Sequence, residues 1–163
     1  LLTFATTAWA EPAFVPFRSP EDCIKIPLKS GFKPIADKPL EWRETELGWL
    51  SQTTIKTYVG QFKKVGDIDN DISCFFSGEK EHIEFVRVKA NCYNTDGIEP
   101  TINKFREIVE QLATDLGIES PKDILKNVDP AKGKVIDAEA YKITVEKIDY
   151  NIGYGWVFKL TTK

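Results

Sequence analysis

The residues that most resemble a chemical site form one short run, Asp67-Ile68-Asp69-Asn70-Asp71. Hard cations such as calcium take clustered oxygen ligands, and acids at alternate positions offer them. Asp67, Asp69 and Asp71 are therefore the candidate metal ligands, with calcium the ion they would suit; no other cofactor is expected. The helix–loop–helix calcium pattern needs Gly at loop position 6 and Glu at position 12. This chain has Ile72 and Gly78 there. An Asp/Asn-rich turn leading into a strand accounts for the same run without a metal.

The other reactive side chains are few. His82 is the only histidine, so a His-rich zinc site is excluded. No G-x-S-x-G elbow, Gly-rich phosphate loop or H-E-x-x-H occurs. His82 sits among Glu79, Lys80, Glu81 and Glu84, which reads as a solvated loop. Two carboxylates suffice for glycoside hydrolysis, and Glu44, Glu46, Asp67, Asp69 and Asp71 offer candidates. Nothing in the pattern marks a cleft, and no catalytic residue is assigned. The cysteines are Cys23, Cys74 and Cys92, with no C-x-x-C. In an oxidising compartment one bridge is expected, and strand geometry decides its partners.

That geometry comes from a hairpin. Even-numbered Val86, Val88, Ala90 and Cys92 alternate with Arg87, Lys89 and Asn91, and Ile72, Cys74 and Phe76 are even too. With both even sets facing inward, opposed residue numbers must sum to an even value. A sum of 160 pairs Ser77 with Ile83 and leaves a five-residue loop, Gly78–His82. Cys92 then lies roughly 20 Å along the strand from the residue opposite Cys74, beyond disulfide reach. The predicted bridge joins Cys23 to Cys74 or Cys92. The same register opposes Phe75 and Phe85 on the outer face, beside Arg87 and Lys89, with Lys142, Val157 and Lys159 nearby. Aromatics with Arg are common anchors of protein interfaces.

The remaining elements follow in order. Leu1–Ala10 carries no charge and ends in Ala8-Trp9-Ala10, the pattern of a signal-peptidase site. Residues 1–10 read as a signal-peptide remnant of an exported, periplasmic or secreted protein. Residues 11–40 hold six of nine prolines and read as an extended arm, whose Phe14, Phe17 and Phe32 are suited to cover the outer sheet face. Ser19-Pro20-Glu21-Asp22 has the signature of a helix start within it. Ser120-Pro121-Lys122-Asp123 repeats that signature, predicting a short helix over 120–128. Residues 41–163 form one domain. The β-branched residues of 53–59 favour a strand, although Leu47, Leu50, Thr54, Tyr58 and Phe62 also fit a helical face. Apolar residues recur at three- and four-residue steps from Ile98 to Leu116, marking a one-sided helix closed by Gly117. Residues 129–137 read as a polar connection. Two alternating runs, from Tyr141 and from Tyr154, make a second hairpin, with a bulge expected near Lys147.

The fold class is α+β: an antiparallel sheet of about five strands in two hairpins, with one long amphipathic helix and a short helix packed on one face. The net charge of −3 argues against a nucleic-acid partner, and no long apolar run predicts membrane insertion. The expected function is an exported, non-enzymatic domain that binds a protein or peptide as an adaptor, inhibitor or immunity-type protein. Phe75, Phe85, Arg87 and Lys89 are its partner-binding residues. The alternatives are a small carboxylate-dependent hydrolase, with or without calcium, and a structural envelope protein.

Overall fold

The computed structural model describes residues 19–29, 31, 33–34, 41–58 and 69–163. The expected signal remnant, the arm residues Phe14, Phe17 and Phe32, and Asp67 lie outside the described residues. Ser19 is extended, and its Oγ accepts a 3.1 Å hydrogen bond from the Asp22 N–H. Helix α1 (Pro20–Ile24) thus begins where the capping pattern placed it, and α2 (Ile26–Lys29) follows directly. Cys23, Ile24 and Ile26 join the main core. This part of the expected extended arm is therefore a pair of short helices built into the domain.

The strands are β1 (Lys33–Pro34), β2 (Arg43–Thr45), β3 (Gly48–Tyr58), β4 (Asn70–Gly78) and β5 (Ile83–Cys92). Then come the long helix α3 (Ile98–Asp115) and strands β6 (Lys134–Asp137), β7 (Tyr141–Asp149) and β8 (Tyr154–Thr162). Among the described residues, seven strands run side by side in the order β1-β3-β4-β5-β8-β7-β6, and β2 pairs with β3 as an eighth. Every pairing is antiparallel. The α+β class stands, but the sheet is wider than five strands. One added strand lay hidden in the polar connection over 129–137. There the Gly133 N–H closes a turn on the Asp129 carbonyl at 2.7 Å, and β6 pairs with β7 from Lys134 on. Four residues are too few to show a periodicity.

Helix α3 lies on the face carrying Ile72, Cys74, Phe76, Val86, Val88 and Ala90, and buries Phe105, Ile108, Val109, Leu112 and Ala113 against it. Its end is a Schellman motif. Gly117 has φ 68°. The Ile118 N–H donates to the Ala113 carbonyl at 2.9 Å and the Gly117 N–H to Thr114 at 3.0 Å. The second predicted helix forms, but far shorter than the expected 120–128. Ser120 has φ 48° and makes no side-chain cap, so only a 3-10 turn at Pro121–Asp123 results. The bulge expected near Lys147 is also absent, because β7 and β8 pair without interruption from Tyr141↔Thr162 to Asp149↔Tyr154.

The first hairpin keeps its predicted faces but not its predicted pairing. Cys74 opposes Val88, Phe75 opposes Arg87 and Ser77 opposes Phe85, a sum of 162. A bulge then sets Gly78 against Ile83, and the Glu79 N–H closes the loop on the His82 carbonyl at 2.9 Å. The physical reason is Ile83. An unbroken register would turn this odd-numbered residue outward; the bulge turns it into the core, where it is 1% exposed.

Candidate functional site

The outer sheet face is built by residues that alternate with the core. Phe75 on β4 and Phe85 on β5 are diagonal rather than directly opposed, yet their rings meet edge to face at 6.2 Å between centroids. Diagonal neighbours on one sheet face lie within reach of aromatic side chains. Arg87, directly opposite Phe75, lays its guanidinium 5.1 Å from the centre of that ring. Its Nε is buried and has no hydrogen-bond partner among the described residues. On β8, Lys159 lies opposite Arg87, and Val157 opposite Lys89. Lys142 lies opposite Thr161. The sheet thus brings the predicted outer-face residues onto one surface. All four are half-buried: Phe75, Phe85, Arg87 and Lys89.

A polar cluster adjoins this patch toward the far end of β5. The Asn91 amide donates to Asp71 Oδ1 at 2.7 Å, and the Tyr150 hydroxyl donates to Asn91 Oδ1 at 3.1 Å. Lys89 Nζ lies 5.2 Å from the centre of the Tyr150 ring, and Tyr93 packs on the same ring at 5.8 Å. Burial raises the Tyr93 phenol above its ordinary range; Tyr150 and Asp71 add to this and Lys89 opposes it. Tyr150 lies in the β7–β8 turn, outside any periodic run. Its one trace is Gly155 opposite Asn91: a Cβ there would come within 2.3 Å of the Tyr150 hydroxyl.

Asp71 is held by Asn91 on the outer face, and Asp69 precedes β4. Among the described residues no three His, Cys, Asp or Glu side chains gather to hold a metal. Glu44 lies on β2 and Glu46 in the turn after it, both exposed. His82 is exposed in the hairpin loop. Cys74 and Cys92 face the core as thiols, and the predicted bridge from Cys23 to either is not made. In the observed register Cys92 lies four residues beyond the residue opposite Cys74, roughly 13 Å at strand rise. Burial pushes the Cys74 thiol far up; burial and then Asp71 push Cys92 to about 11. Neither supplies thiolate near neutral pH.

Among the described residues no helix is long and apolar enough to cross a membrane. Comparisons with protein-family models, curated proteins and solved structures find no match to this chain.

Proposed function

We propose that this chain is an exported, non-enzymatic domain that binds a protein or peptide partner through the outer face of its sheet. The observation that carries this reading is the Phe75–Phe85–Arg87 cluster. It pairs two half-buried rings with a guanidinium whose Nε has no partner among the described residues. Arg87 and Lys89 make contacts with rings and no ion pair among the described residues. A partner segment with an apolar side chain for the rings and a carboxylate for the cations would complete the surface. Export rests on the Ala8-Trp9-Ala10 pattern.

The test is capture from envelope extract with wild type and with Phe75→Ala/Phe85→Ala. Hydrogen exchange on the purified complex then locates the contact. The expected result is a partner retained by wild type, lost by the double variant, and protecting β4 and β5. A partner held equally by both proteins would remove the outer face as its site.

A further inference from the structure

A second concave surface lies on the opposite side of the sheet, where α3, the turn over 125–130 and β8 meet. It is open to solvent on one side and has a volume of about 270 Å³. Its walls are Ile102 and Phe105 of α3, Leu125 and Val128 of the turn, and Trp156 of β8. The cavity follows from two features of the chain. The segment after Ser120 fails to continue as a helix, and Asn127 takes a left-handed φ of 54°, so this segment cannot lie along α3 as a second helix would. Trp156 also stands opposite the small Ala90, which leaves room beside its indole.

Apolar walls with a few unused polar groups are the composition of small-molecule sites. Three residues that carry polar groups line this cavity: Arg106, Asn127 and Trp156. None of the three side chains makes a hydrogen bond or ion pair among the described residues. Arg106 is an exposed cation at the edge of this cavity with no ion pair among the described residues, and Arg recognises a carboxylate through paired donors. Size sets the rest of the ligand. A cavity of about 150 Å³ takes a benzene ring, so this one accommodates a ring with a short acidic chain.

We propose that this cavity binds a small aromatic carboxylate, its ring against Phe105 and Trp156 and its carboxylate on Arg106. This site is independent of the outer-face reading, since the sheet separates the two surfaces. The probe is 3-phenylpropionate, with the neutral 3-phenylpropanamide and the cationic 3-phenylpropylamine as comparisons. The readout is the indole N–H resonance of Trp156, assigned by its loss in Trp156→Phe. The acid is expected to shift that resonance saturably. The amide should bind roughly tenfold more weakly, as loss of a charge-assisted contact implies, and the amine weaker still. Arg106→Gln, at an exposed position, should bring the acid down to the affinity of the amide. Val128→Trp should fill the cavity and abolish the shift of the Trp156 resonance. Phe75→Ala/Phe85→Ala should leave binding unchanged. Equal affinity for acid and amide, undiminished binding in Arg106→Gln, or no saturable shift at low millimolar acid would each overturn the proposal.

Discussion

Buried polar side chains divide in this protein by whether they have partners, and the division predicts opposite responses to substitution. Asn70 is fully buried at the start of β4. Its Oδ1 accepts from the Tyr93 and Asn94 N–H groups, each at 2.8 Å, and its Nδ2 donates to the Asn94 carbonyl at 3.0 Å. One side chain therefore holds the exit of β5 and the approach to α3. Asn70→Ala leaves these backbone groups without their partner and should cost about 3 kcal/mol. Thr53, also fully buried, faces the core opposite Cys74, and its hydroxyl has no hydrogen-bond partner among the described residues. Replacing it with valine keeps the shape and removes a desolvated oxygen, so Thr53→Val should stabilise by about 1 kcal/mol. Urea denaturation of both variants checks the pair. A stabilised Asn70→Ala or a strongly destabilised Thr53→Val would contradict this account. Asn70 belonged to the run that offered calcium ligands, and its place in the fold gives that residue a structural role.

At the scale of elements, the decisive residue of the first hairpin is Gly78. A Cβ there would lie 2.3 Å from the His82 carbonyl oxygen, 2.7 Å from the Glu84 nitrogen and 2.9 Å from the Ile83 Cα, all backbone atoms. No side-chain motion relieves such contacts. Gly78→Ala should open the bulge and draw Ile83 from the core, costing more than about 2 kcal/mol. Gly117→Ala is the comparison: its strain is a left-handed φ, so its cost should be about 1 kcal/mol. Equal losses in thermal denaturation would mean that the bulge does not require a glycine. The same hairpin shows what alternation can and cannot determine. It assigns each side chain to a face, because one face is apolar. It leaves the register free to move by two, because such a shift preserves both faces. The bulge broke the tie, and its signal is one glycine beside a loop. Ser19 and Ser120 show a similar limit. Their flanking sequences agree, but Ser19 caps α1, whereas Ser120 follows the Gly117 turn and is held left-handed. The outer-face cluster was legible because Phe75, Phe85 and Arg87 are odd-numbered members of well-patterned strands. The cavity on the other face was not, since a helix cut short at Asp123 and a left-handed Asn127 form it.

At the scale of the molecule, strand order brings together residues far apart in the chain. Pairing of β5 with β8 sets Arg87 beside Lys159, and no local pattern in either strand specifies that neighbour. The N-terminal segment raises the same question of long-range packing, and its answer is open to measurement. Cys23, Ile24 and Ile26 lie in the core, and Lys29 of α2 forms an ion pair with Asp115 at the end of α3 at 3.7 Å. At about 1.5–3 kcal/mol for each fully buried large apolar side chain, the two isoleucines contribute a large share of the 5–15 kcal/mol that typically stabilises a domain. Deletion of residues 11–40 should therefore lower the thermal midpoint sharply and increase binding of a hydrophobic dye. Ile24→Ala in the full chain should cost about 2–4 kcal/mol, while Lys25→Ala, on the exposed side of the same segment, should cost little. Unchanged midpoints in the deletion and in Ile24→Ala would refute this packing. Dye binding also separates the two surfaces that the segment could protect. If Phe75→Ala/Phe85→Ala abolishes the extra dye binding of the shortened chain, the lost segment had covered the outer face. If the extra binding persists, the exposed surface is the core beneath α1 and α2, which is the outcome the buried positions of Ile24 and Ile26 predict.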